Sequence, residues 1–368
     1  MKSIGLGCLH FSVKSSHSSS FSVKDYISEV ESSLKELPTV SDIAIDYDED
    51  YSEEILTVGD GISMNDGEPC FPQIPSFELS FYLYLPFRVQ SDLINIDESL
   101  LNTETELFHV TFRHSWHGPV TYIDCIDASE SCKPSTSVQI VREYLKREYK
   151  KLDTYLYLDF VGPSPFHSEL YIQEDSSLEP NLDVFAFSHE KKPGYDRLLF
   201  KFKGLDEGIA LRRVIQLVED ELAFYYVLSV LHTKQIIEWD MIREDFEELI
   251  SSEDKINSYS LLKIIKRNKL IRNLYKRIGI FKGSKIYADG YINSQYNDLY
   301  RSGKHHILLQ TFVDRKLKGW ATFPINETAD VVSYFDSKGS KSIELLVIFI
   351  AAICGGVTGA LLTILFAK

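Results

Sequence analysis

The chain has 368 residues, 44% of them hydrophobic, with 22 Phe and 21 Tyr, which is enough apolar side chain for one large or two ordinary packed domains. That composition excludes a disordered stalk over most of the length. A formal net charge of −15 argues against general nucleic-acid binding, although the charge is unevenly spread.

The opening MKSIGLGCLHFSV is too short, and too broken by glycine and His10, for the ~7–15-residue apolar core of a secretory signal. Cys8, Cys70, Cys125, Cys132 and Cys354 form no CxxC pair and read as free thiols in a reducing compartment. The N-terminal body is therefore expected in the cytoplasm.

Residues 3–13 read as a strand, and Ser22–Leu37 as a helix ended by Pro38. Asp42–Asp60 is crowded with carboxylates, and Gly59–Pro75 is rich in turn formers. Asp46, Asp48 and Asp50 alternate like the start of a calcium loop, but Tyr51 replaces the turn glycine and Thr57 stands where the closing Glu belongs. A solvated acidic edge is the expectation.

Strand-like runs follow at Phe77–Arg88, Glu106–His114 and Val120–Ile126, with a Gly118-Pro119 turn before the last. A helix is expected over Thr136–Lys151, where Val138, Val141, Leu145 and Tyr149 share a face and Ser135 or Thr136 is placed to cap. Strands resume at Thr154–Val161, Glu169–Gln173, Asp183–Phe187 and Arg197–Lys203. The pattern is an α+β domain with a mixed, largely antiparallel sheet over residues 1–204.

A mainly helical region follows over 205–342, with helices at Gly208–Leu231, Asp240–Ile250, Ser258–Ile278 and around Glu327–Phe335. Glu219, Asp220 and Glu221 keep the first of these from being a membrane span. His306–Val313 has the look of a short strand.

Lys255–Lys285 holds ten cations and no carboxylate. On a helix, Leu261, Ile264, Ile265, Ile271, Leu274 and Ile278 occupy one half and most cations the other. Lys263, Lys266, Arg267, Lys269, Arg272, Lys276 and Arg277 are the candidate contacts for an anionic lipid surface, at ~1 kcal/mol each, or for an acidic protein partner. Packing on the protein's own core, and docking on Asp42–Asp60 of its own or a neighbouring chain, are the alternatives.

His109, His114 and His117 lie close together, but no cysteine or carboxylate completes a metal set, and strand alternation separates His114 from His117. Gly162–Phe166 (GPSPF) reads as a rigid turn able to present Ser164 or His167. No phosphate loop, dinucleotide fingerprint, nucleophile elbow or zinc-protease pair is present, so no catalytic residue, cofactor or metal ligand is assigned.

Leu345–Ala367 carries no charge over 23 residues. As a helix that run is about 34 Å long, enough for a ~30 Å hydrocarbon core, so residues 343–368 are the expected C-terminal transmembrane helix. Lys338 and Lys341 just before it place the large domain on the cytoplasmic face of a single-pass protein. Ala351, Gly355 and Gly359 form a row of small residues, with Ala352, Gly356 and Ala360 beside it, and predict a self-associating span and a homo-oligomer.

The layout, a soluble body on a membrane segment, is similar to that of bacterial antiviral-defence effectors by architecture alone. The expectation is a non-enzymatic membrane-anchored effector whose cytosolic domain senses a ligand or partner and whose spans cluster, permeabilising the bilayer or organising a complex there. The rivals are a membrane-tethered enzyme such as a hydrolase, with His114, His117 and His167 as first candidates, and a plain membrane adaptor.

Overall fold

The computed structural model describes residues 1–13, 22–52, 77–115, 118–128, 132–160, 166–178, 185–254, 261–302 and 307–339, with Glu344, Ile348, Ala351 and Ala352 of the C-terminal run. Contacts divide the chain into two units, Met1–His232 with Ile292–Trp320, and Thr233–Tyr291 with Ala321–Lys368.

In the first unit the expected strand at 3–13 is two strands. β1 (Lys2–Gly7) joins the main sheet, while β2 (Leu9–Val13) pairs with β7 (Leu156–Phe160) in a separate two-stranded sheet. The main sheet also holds β3 (Val40–Tyr47), β4 (Phe77–Tyr84), β5 (Leu107–Ser115), β6 (Gly118–Cys125), β8 (Ser168–Glu174), β9 (Ala186–Glu190) and β10 (Asp196–Phe202). Its order is β3-β4-β5-β6-β1-β8-β10-β9. Among the described strands of this sheet only β8 and β10 run parallel, and the other neighbouring pairs are antiparallel. The α+β architecture with a mixed, mostly antiparallel sheet followed by helices is thus the observed one.

Alternation builds the core. Phe77, Leu79, Phe81 and Leu83 of β4 and Phe108, Val110 and Phe112 of β5 all point to one face. Two helices cover that face, α1 (Val23–Lys35) and α3 (Pro134–Tyr149). Ser22 and Asp25 form a capping box at the start of α1, and the Tyr26 hydroxyl donates to the Phe11 carbonyl at 2.8 Å. The cap of α3 differs from the expected one. Pro134 opens the helix, Lys133 precedes it without a side-chain cap, and the Ser135 amide donates to Glu169 at 3.3 Å. A short α2 (Phe87–Ile94) follows β4.

The opposite face of the sheet meets α4 (Glu207–Asp254), a continuous 48-residue helix where two were expected. Gly118 shows how close the approach is. Its φ is +130°, and a Cβ there would lie 2.8 Å from the Tyr226 ring. Of the strand expected at His306–Val313, residues 310–313 are the first turn of α6 (Gln310–Lys318), Ile307–Leu309 lead into it, and His306 lies outside the described residues.

The second unit is helical. It takes Thr233–Asp254 of α4, much of α5 (Leu261–Arg301), and α7 (residues 325–339). Its core is built by Ile242 and Leu249 of α4, Leu270, Leu274, Ile278 and Phe281 of α5, and Ile325 and Val332 of α7. The division falls after His232, inside α4, whereas sequence composition put a boundary near Gly204.

Candidate functional site

The cation-rich segment lies on α5, and the structure sorts its members by helix phase. Leu270, Ile271, Leu274, Ile278 and Phe281 point inward. Burying each such side chain contributes ~1.5–3 kcal/mol. Rolling that face into a bilayer would leave Ile242, Leu249, Ile325 and Val332 uncovered, a loss that cation–lipid attractions of ~1 kcal/mol each do not offset. The apolar face of α5 therefore belongs to the protein's own core.

Among the cations, Lys266 pairs with Glu248 at 2.8 Å, Arg277 with Asp245 at 2.9 Å, and Lys285 with Asp289 at 2.9 Å. The bond from Glu248 raises the proton affinity of the Lys266 ammonium. Arg267 is 8% exposed and donates to the Phe335 carbonyl, so it is a structural residue rather than a surface contact. Lys269, Arg272 and Lys276 are exposed and make no ion pair among the described residues. The side chain of Lys263 lies outside the described set.

For Lys266 and Arg277 the counter-charges come from α4, which carries Glu238, Asp240, Glu244, Asp245, Glu247 and Glu248 in this unit, while Asp289 belongs to α5 itself. Of the acidic stretch Asp42–Asp60, residues 53–60 lie outside the described residues. The described part of that acidic stretch forms edge strand β3 and a short turn, where Asp48 accepts from the Asp50 amide at 3.1 Å. Charges on an edge strand hinder unwanted strand pairing.

Of the residues proposed for span association, Ala351 is helical and exposed, while Gly355 and Gly359 lie outside the described residues. Ile348 is helical and 58% exposed. Among the described residues no helix is long and apolar enough to cross a membrane, and most of 345–367 lies outside them.

In the first unit His109, His114 and His167 each pack against a different ring. The His109 ring lies tilted against Tyr82, 4.8 Å between centroids, and burial lowers its proton affinity. His114, five residues on, stacks on Phe77 at 5.8 Å, and burial pushes its pKa down to about 3. His167 sits at φ 46° beside Tyr195, 5.9 Å between rings; His117 and Ser164 lie outside the described residues.

Sequence reasoning passed over the partners of Glu219 and Glu221, treating both as interruptions of an apolar helix. Arg113 of β5 lies 3.3 Å from Glu219 and 3.4 Å from Glu78. Glu221, 2% exposed, accepts from the amides of Leu308 and Leu309 at 2.8 and 2.9 Å, holding the start of α6. Burial raises the proton affinity of both carboxyls. Carboxylates inside an apolar run need buried partners, and that was the available signal. The pocket beside Glu221, lined by Phe166, Leu198, Tyr225 and Phe312, has a volume of about 10 Å³, room for one water.

No family model, curated protein or solved structure matches this chain.

Proposed function

We propose that the protein is a non-enzymatic effector anchored to a membrane by residues 343–368, with its β-rich unit as the sensing body and association of the span as its output. One observation carries the reading. The 23-residue uncharged run at Leu345–Ala367 follows α7, and its described members Ile348, Ala351 and Ala352 are helical and exposed. Apolar helical residues left exposed call for an apolar surrounding, and an uncharged run of this length suits a bilayer. Lys338 and Lys341 favour a cytoplasmic body. The row of Ala351, Gly355 and Gly359 supports close packing of one span on another.

The test is inducible expression of the full chain and of a chain truncated before Leu345, with carbonate extraction and a membrane-potential dye. The full chain is expected to resist extraction and to depolarise cells, and the truncated chain to do neither. Gly355→Ile with Gly359→Ile is expected to keep insertion and weaken association. Equal extraction of full and truncated chains would overturn the anchor.

A further inference from the structure

We infer that the outward face of α5 docks on the outward face of α4 of a second copy of this chain, so that copies join head to tail through the helical unit. The contact is separate from the membrane run and orders the copies that the run brings together.

Opposite its buried side, α5 leaves Ile265, Ile280, Ile286 and Tyr287 at 64, 54, 74 and 73% exposure. These four side chains span about 33 Å of helix, a long apolar face that none of the described residues covers. Lys269, Arg272 and Lys276 stand between Ile265 and Ile280 on the same stripe, exposed and without an ion pair among the described residues. Gly279 and Gly283 lie beside them, and a Cβ at either would meet nothing within 4 Å, so a neighbouring helix can come close.

The outward face of α4 is complementary. Ile236 and Ile250, 37 and 40% exposed, bracket Asp240, Glu244 and Glu247 at helical spacing. Arg243 offsets part of that charge, 3.2 Å from Asp240 and 3.9 Å from Glu247, and three carboxylates against one guanidinium leave the face net acidic. Ile236 to Ile250 covers about 21 Å and Ile265 to Ile280 about 22 Å, so two apolar ends and a charged middle can register on each other. The chain already pairs these helices internally through Lys266–Glu248 and Arg277–Asp245. A second copy repeats the same acid-on-base pairing on the outer faces.

Docking α5 on α5 would set Lys269, Arg272 and Lys276 against their own kind. The contact is therefore between two different surfaces, and repeats into a ring or an open row. An anionic lipid surface would meet the cations but leave the acidic α4 face unused, so a second copy accounts for both faces.

The experiment mixes ordinary and ¹⁵N-labelled full-length chains in detergent, links them with a zero-length carbodiimide, and reads hybrid peptides by mass spectrometry. Hybrid peptides joining α4 to α5 are expected, and none joining α5 to α5. Glu244→Lys with Glu247→Lys, or Arg272→Glu with Lys276→Glu, is expected to lower their yield at least tenfold. Both sets in one chain are expected to restore it, which a merely unfolded variant cannot do. Absence of hybrid α4–α5 peptides, their survival through either single reversal, or failure of the combined chain to recover them overturns the inference. So does loss of binding to phosphatidylserine vesicles in the Arg272→Glu, Lys276→Glu chain without any hybrid peptide in the wild type, which assigns the face to lipid. Carbonate extraction of the same chains reports on the anchor independently.

Discussion

The guanidinium of Arg267 donates to the main-chain carbonyl of Phe335, joining α5 to a helix 68 residues further along the chain. A buried guanidinium is costly without an acceptor, and a main-chain carbonyl has a second lone pair to offer even inside a helix. Gly339 leaves the room, since a Cβ at that position would collide with the Arg267 guanidinium. Arg267→Ala is expected to cost about 1.5–3 kcal/mol and to speed hydrogen exchange across residues 325–339. Lys276→Ala, on the exposed stripe, is expected to stay within about 0.5 kcal/mol of wild type. Equal responses from the two variants would reject the distinction between them.

Gly5 of β1 lies under α3. A Cβ there would sit 2.5 Å from the Pro134 carbonyl oxygen and 2.6 Å from Val138 Cγ2. The backbone oxygen has no rotamer to escape into, so Gly5→Ala is expected to destabilise by about 1–3 kcal/mol. Gly279→Ala, placed in open space within a helix, is expected to gain up to about 1 kcal/mol instead. Chemical denaturation of the two variants checks both signs.

The elements legible in the sequence are those whose local signals agree with their surroundings. Ser22, Asp25 and the apolar spacing of α1 all point to a helix, and β4 alternates between buried and half-exposed positions. The split at Cys8 was hidden because β1 from Ser3 onward and all of β2 are buried, so one apolar run covers two strands. β3 was masked by carboxylates that an exposed edge tolerates. Leu308–Val313 is too short an apolar run to separate strand from helix by period, and the buried Glu221 carboxylate decides it. α4 runs on because no glycine or proline occurs between Gly208 and Asp254, and α5 continues through Gly279, Gly283 and Gly290 against their propensity. The basic character of α5 was plain, but its phase was not. Ile265 was grouped with the buried face and is 64% exposed, while Arg267 was grouped with the surface and is buried.

Glu221 gives a third expectation. Its two oxygens receive the amides of Leu308 and Leu309 at the N-terminus of α6, where the helix dipole also favours an anion. Glu221→Leu leaves both amides without that acceptor and is expected to cost about 1–3 kcal/mol. Glu221→Gln keeps one carbonyl oxygen and is expected to lose less. Hydrogen exchange at Leu308 and Leu309 reads the difference directly, and unchanged protection in the leucine variant would remove the capping role.

His114 predicts an acid limit for the β-rich unit. Its ring is stacked on Phe77 at 5.8 Å, and burial, with the nearby His10, pushes its pKa down to about 3. In the unfolded chain a histidine titrates near ~6.5. Between about pH 3 and pH 6.5 the unfolded chain therefore binds a proton that the folded chain refuses, and stability falls as pH falls through that window, by up to ~1.4 kcal/mol per pH unit. His109, lowered by burial, acts in the same sense. Asp124, Glu219 and Glu221, all raised by burial, act in the opposite one, because the folded state holds their protons more tightly. The net slope mixes these effects, so the comparison is between wild type and His114→Phe, which keeps the stacking partner for Phe77. The variant is expected to gain on the wild type steadily below pH 6.5 in urea unfolding, with no further change in their difference above it. Parallel stability curves for the two proteins from pH 4 to pH 8 would show that the buried ring does not resist protonation.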